Sequence, residues 1–256
     1  MIRLDAATVL LQWSTGGLFF LWVTTRRREV GIGYGWLLRS IYAVMAIGAA
    51  FTGRRWQPVA GRDVCALLVA ACAATALLVS IRRRRAGLEA EGAFPPVLDL
   101  VAPAIGVVGL VCAGWAAGGP HLLAVARTLV GAAFLGAVTD AMLLGHWYLV
   151  QPGLGRGAVR ELVTAVILVW PVEVAVLLWP PGMVSVLKGT IDDGWHGTLG
   201  WFWLGCALGT VVLGFLTRAA LTEKSYSAVM AATGMLYLAI LTAFGTDLVA
   251  RAVLAG

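Results

Sequence analysis

The sequence predicts an all-α integral membrane protein, a bundle of about eight transmembrane helices. Three observations lead there. Hydrophobic residues make up 60% of the 256 and charged residues only 12%, about half the charged fraction of a soluble domain. The mean hydropathy is +0.88. Eight apolar runs reach the roughly 20 residues that a helix needs to cross about 30 Å of hydrocarbon. Barrel strands would be about 10 residues long and alternating, and the runs are neither. The same numbers exclude a disordered chain, a collagen-like rod and a secreted disulfide scaffold.

The runs are approximately Ala6–Thr25, Trp36–Gly53, Asp63–Ile81, Val97–Ala117, His121–Val150, Ala158–Trp179, His196–Ala220 and Ser227–Val253. Arg26-Arg27-Arg28 closes the first. Its positive cluster follows the apolar run, the reverse of a cleaved signal peptide. Arg82 to Arg85 close the third, and the longest polar stretch, about 82–96 with Glu89 and Glu91, follows. Gly118-Gly119-Pro120 parts the fourth from the fifth. Gln151-Pro152-Gly153 ends the fifth, and Pro180-Pro181-Gly182 ends the sixth. The whole chain, 1–256, reads as one polytopic domain with two halves: helices 1–4 over 1–117 and helices 5–8 over 121–256.

Basic loop residues set orientation. After odd-numbered helices stand Arg26, Arg27, Arg28, Arg82, Arg83, Arg84, Arg85, Arg156, Arg160, Arg218 and Lys224. The other side holds Arg3, Arg54, Arg55, Arg62, Lys188 and Arg251. The richer side is expected to be cytoplasmic, with both termini outside. These loops account for the net charge of +6, so nucleic-acid binding is not expected. Arg82 to Arg85 form a topology signal and a candidate anionic-lipid contact.

Cys65, Cys72, Cys112 and Cys206 all sit in apolar runs without a CxxC pair. They read as small buried hydrophobes, and no metal site is expected. Bis-histidine haem needs two imidazoles at one depth inside facing helices. His146 is placed inner, and His121 and His196 lie at outer span ends, so haem is disfavoured. Gly131 and Gly136 in the fifth span, and Gly205 and Gly209 in the seventh, permit close helix contact.

An ionisable residue at mid-span costs about 2.5–3.5 kcal/mol on insertion scales, so it faces a bundle interior, a cavity or a partner charge. In the first half Arg39, Asp63 and Asp99 stay near span ends. In the second, Arg127, Asp140, Glu173 and Asp247 fall inside spans. Arg127 is placed roughly 9 Å below its outer end, with Glu173 in the outer third and Asp247 near the outer surface. One cation then meets two acids, in a proton- or ligand-handling network or a structural one. Pro171 precedes Glu173 and invites a kink. Asp140 is placed roughly 15 Å from the inner end; His146 lies closer to the surface on another face, and Glu161 starts the sixth span. On the outer rim, Trp195, His196 and Trp201 with Glu173 are a candidate pocket for a quinone ring: aromatic walls, with imidazole and carboxyl able to exchange protons.

Eight spans with both termini outside resemble, in architecture alone, the membrane anchors of bacterial molybdoenzyme complexes. The resemblance implies quinol binding without a resident metal, and rests on no sequence motif. The leading expectation is a membrane subunit of a respiratory-type electron-transfer complex. It would bind quinone, conduct protons and receive electrons from redox partner subunits, without a catalytic centre of its own. The alternatives are a proton- or ion-coupled small-solute transporter and a structural or assembly subunit.

Overall fold

A computed structural model describes residues 4–87, 95–148, 150, 151 and 153–254. Arg3, Glu89, Glu91 and Pro152 lie outside the described residues. Among the described residues eight helical segments are long and apolar enough to cross a membrane, the fourth counted from its 3₁₀ start at Pro96, and the chain is a multi-pass membrane protein. They are α1 (Ala6–Thr25), α2 (Ile32–Trp56), α3 (Ala60–Arg85), α4 (Val101–Ala116), α5 (His121–Trp147), α6 (Gly157–Leu178), α7 (Thr198–Ala220) and α8 (Tyr226–Leu254). A 3₁₀ turn, Pro96–Leu100, leads into α4. A one-turn helix, Met183–Leu187, lies between α6 and α7.

The helices depart from the apolar runs mainly at their ends. Arg82 to Arg85 form the last turn of α3 instead of a loop. Hydrophobicity sets where a span crosses the membrane, whereas arginine is a good helix former beyond it. Its charge also complements the free carbonyls at a helix C-terminus. For the same reason α2 runs through Arg54 and Arg55 to Trp56. The fifth helix ends at Trp147, and the seventh starts at Thr198 after Gly197. At the start of α1, Asp5 caps the helix, accepting from the Thr8 amide at 3.2 Å and the Thr8 hydroxyl at 2.6 Å.

Each half closes into a ring of four helices. In the first, α1 packs on α2, α2 on α3, α3 on α4 and α4 back on α1; in the second, α5 to α8 repeat the order. The rings join where α1 and α4 meet α5. Gly118 and Gly119, with φ of +80° and +66°, turn the chain between α4 and α5 in a conformation that glycine adopts without strain. The core at the junction combines Leu18, Leu21 and Tyr42 with Phe134, Ala137 and Val138, all buried.

The junction is closest at Gly16 of α1 and Gly136 of α5. A Cβ on Gly16 would stand 1.8 Å from the Ala132 carbonyl oxygen, and one on Gly136 would stand 2.2 Å from the Gly16 carbonyl carbon. Only glycine lets the backbones approach this far. Two polar contacts flank the crossing. Gln12 Nε2 donates to the Thr128 carbonyl at 2.8 Å, and Trp13 Nε1 donates to Thr139 Oγ1 at 2.9 Å. Gly205 and Gly209 differ: a Cβ on Gly205 meets open space, and one on Gly209 would stand 3.3 Å from Thr242.

The buried charges of the first half, Arg39, Arg62, Asp63 and Asp99, are paired. Arg39 Nε and Nη2 donate to the two oxygens of Asp99 at 2.8 and 2.7 Å, with both side chains buried. Buried Arg62 donates to Asp63 at 2.9 Å, to Asp5 at 2.6 Å and to Thr8 at 3.2 Å. Asp5, Gly118 and Leu254 share one cleft and mark one end of the bundle, termed the Asp5 end. Arg85 and the start of α6 mark the other.

Candidate functional site

The polar interior of the second ring is built on α8. Asp247 is fully buried. One helical turn later Arg251 turns back, its Nε donating to both carboxylate oxygens at 2.9 and 2.8 Å. Arg251 Nη2 also donates to the Arg127 carbonyl on α5 at 2.8 Å. Gly131 makes room for this pair. A Cβ there would stand 2.5 Å from Asp247 Oδ1, 2.6 Å from Arg251 Nη2 and 2.7 Å from Gln12 Nε2. Residues of α1, α5 and α8 thus converge over one glycine.

Glu173 of α6 completes the cluster. It is fully buried, and neither carboxyl oxygen receives a hydrogen bond; among the described residues its one hydrogen-bonding neighbour is the Asp247 carboxyl, to which only a protonated Glu173 can donate. Its electrostatic neighbours are Asp247, Arg251 and Arg127. Arg127 reaches α6 by other means: its Nε donates to the Val176 carbonyl at 2.8 Å, and its Nη2 to those of Trp179 and Pro181 at 2.8 and 2.7 Å. These carbonyls lie at the helix end, where no further turn supplies amide donors. Arg127 therefore holds the end of α6 in place. Pro171, inside α6, removes the amide that the Ile167 carbonyl would otherwise accept. The segment bearing Glu173 lies between that gap and the Arg127 anchor.

The Arg127, Glu173 and Asp247 anticipated at one depth do share one region, and the structure adds a second cation. Arg251, counted as a loop charge from the sequence, is the direct partner of Asp247. The signal was its i,i+4 spacing from that acid. Gln12, a mid-span amide whose Oε1 is unpartnered, was also passed over.

Above the cluster, a cleft of about 380 Å³ opens between the two rings at the Asp5 end. Asp5, Thr8, Arg127, Thr128, Pro181 and Arg251 contribute to its lining. Of the described charged side chains, Asp5, Arg127 and Arg251 line it; Arg62 and Asp63 adjoin Asp5, and Asp247 and Glu173 adjoin Arg251. Within this linked set three cations meet four acids, and Glu173 is the acid outside the ion pairs.

Trp195, His196 and Trp201 lie apart from Glu173 in burial: the two indoles are 60% and 68% exposed, the imidazole is exposed, and Glu173 is 0% exposed. Their loop is rigidly built. Asp193 Oδ1 accepts from the amides of Trp195 and Gly197 at 2.9 and 2.8 Å, and Oδ2 from those of Leu199 and Gly200 at 2.9 and 3.4 Å. Partial desolvation acts to raise the Asp193 carboxyl, and the four amide donors outweigh it, holding the group below its ordinary value. His196 takes the left-handed φ of +55°.

Asp140, His146 and Glu161 lie toward the opposite end, whereas His121, next to Pro120, lies at the Asp5 end. Asp140 is fully buried, with Oδ1 bonded by the Tyr42 hydroxyl of α2. His146 is exposed and meets Tyr237 at 3.3 Å. His121 stacks on Trp115, with ring centroids 4.7 Å apart. Glu161 pairs with Arg26 and Arg27, tying the end of α1 to the start of α6. Among the described residues no three His, Cys, Asp or Glu side chains converge as a metal site. No family model, curated protein or solved structure matches the chain.

Proposed function

We propose that the chain is a proton-coupled membrane carrier that binds a small anionic solute in the cleft at the Asp5 end. Glu173 is the group that takes up and releases the proton. The observation that carries this reading is the fully buried Glu173 carboxyl, with no donor to either oxygen, beside the carboxyl of an Asp247 already served by Arg251. An unpaired carboxylate in a low-dielectric interior is far costlier than the neutral acid.

The charge balance gives the coupling. With Glu173 protonated, the three cations and three remaining acids cancel. With Glu173 ionised, the cluster carries one excess negative charge and repels an anion in the cleft. Proton and anion therefore favour each other, and the coupling is reciprocal. Arg127 links the two events, because it lines the cleft, acts on Glu173 and anchors the end of α6. By the bias of Lys and Arg, the cleft faces outside.

The test uses proteoliposomes loaded with a pH-sensitive dye and offered a panel of small mono- and dicarboxylates under an inward proton gradient. A carboxylate that accelerates lumen acidification with wild-type protein, and fails with Glu173→Gln, is the expected result. No solute-dependent acidification with any of the panel would overturn the reading.

A second reading, a quinone-binding subunit of an electron-transfer complex, is favoured by one observation. Trp195, His196 and Trp201 stand exposed on a rim that Asp193 fixes. A quinone ring there would stack on indole and exchange a proton with imidazole. Quinol-dependent turnover of a copurified partner, weakened by His196→Ala, tests it; unchanged turnover in an intact complex would refute it.

A further inference from the structure

We infer that Asp140 is a second proton-binding carboxyl, built with Tyr42 between the two rings and connected through Tyr34 and Thr24 toward the Arg85 end of the bundle. It goes beyond the carrier reading and does not depend on Glu173.

The site is made by α1, α2 and α5. Asp140 is 0% exposed; Oδ1 is bonded by the Tyr42 hydroxyl, and Oδ2 has no partner. Among the described residues no Lys, Arg or His forms an ion pair with Asp140. The titratable side chains that interact with it are Tyr42 and Tyr34, both from α2. From α5 itself the nearest ionisable neighbour in sequence is His146, which turns to Tyr237 of α8. Glu161 of α6 is engaged by Arg26 and Arg27 of α1. A carboxyl so enclosed, with one hydroxyl donor and no cation, is far cheaper to bury as the neutral acid.

Tyr42 is held there by the backbone. A Cβ on Gly17 would stand 2.0 Å from Tyr42 Cζ, so glycine at that position seats the ring against α1. Tyr34, two turns nearer the Arg85 end, has its hydroxyl 3.4 Å from the Asp140 carbonyl oxygen and within reach of the Thr24 side chain. Hydroxyls can pass a proton on because each both donates and accepts. Trp147 packs edge-on against Tyr34, 5.6 Å between centroids, and its Nε1 donates to Gln151 at 3.2 Å. Gln151 also accepts from the Gly31 amide at 2.8 Å. This cover closes the Arg85 side, and the Gly16–Gly136 crossing closes the other. Along the bundle, Asp140 and Glu173 thus lie on opposite sides of one glycine contact.

Infrared spectroscopy of the protein in lipid nanodiscs reads the carbonyl stretch of protonated carboxylic acids directly. At neutral pH the expected result is a band that is lost in Asp140→Asn, kept in Glu173→Gln and shifted in Tyr42→Phe, which removes its hydrogen bond. Transfer into deuterated buffer should exchange that band more slowly in Tyr34→Phe than in wild type. A spectrum unchanged by Asp140→Asn, or by Tyr42→Phe if the asparagine variant does not fold, would overturn the site. An exchange rate unchanged by Tyr34→Phe would overturn the route. Loss of a band in Glu173→Gln alone would uphold the carrier reading and refute this one.

Discussion

Arg251 holds both oxygens of Asp247 from one turn further along the same helix, at 2.9 and 2.8 Å. Because that pair is satisfied, neighbouring Glu173 is left without a donor to either oxygen. The two acids should therefore answer differently to neutralisation. Asp247→Ala strands a largely buried guanidinium and should cost about 3–5 kcal/mol. Glu173→Gln replaces a neutral acid by a neutral amide of similar shape and should leave the melting temperature nearly unchanged. Thermal unfolding in one detergent compares them; equal losses would contradict the assigned protonation of Glu173.

The glycine crossing gives a packing test. Gly136→Ala places a methyl against the Gly16 carbonyl and forces α1 and α5 apart. The expected cost is about 1–3 kcal/mol, the usual range for overpacking. Gly205→Ala meets open space and should be neutral. Melting temperatures of the two variants make the comparison.

Asp193 sets a pH dependence at the rim. Its carboxyl is lowered by its amide donors despite some desolvation, so its contribution to stability is complete above the ordinary carboxylate range. That contribution is lost as pH falls through the lowered value. A fluorotryptophan resonance at position 195 should hold steady from neutral pH down to that range and broaden only below it. In Asp193→Ala it should be broad at every pH.

From the bias of basic residues, the Arg85 end is expected in the cytoplasm. With the four native cysteines replaced by alanine, single cysteines at positions 83 and 188 should label from opposite sides of intact cells. Position 188 should react with an impermeant reagent added outside, and position 83 only after lysis. The reverse pattern would place the cleft inside.

Hydrophobic length made the eight spans legible, and the cost of a mid-membrane charge singled out Arg127, Asp140, Glu173 and Asp247. Three features were missed, two of them for physical reasons. Arg251 was counted with the basic residues of the outer side because it stands two residues from the end of its run, although its i,i+4 spacing from Asp247 was already visible. Gly16 was passed over because a glycine is informative only once its partner backbone is known. Tyr42 became Asp140's neighbour through the α1–α2 packing, which no local pattern in the sequence encodes. Pro171 did signal its gap, being a backbone effect within one helix.

The central claim is that Glu173 exchanges a proton in the folded protein. Its most direct measurement is an infrared pH titration of nanodisc-embedded wild type against Glu173→Gln. The expected result is a protonated-carboxyl band in wild type that disappears with rising pH as a carboxylate band grows; this pair of changes is missing from the glutamine variant, whereas the band assigned to Asp140 is present in both proteins. Superimposable titrations of the two proteins would contradict the claim.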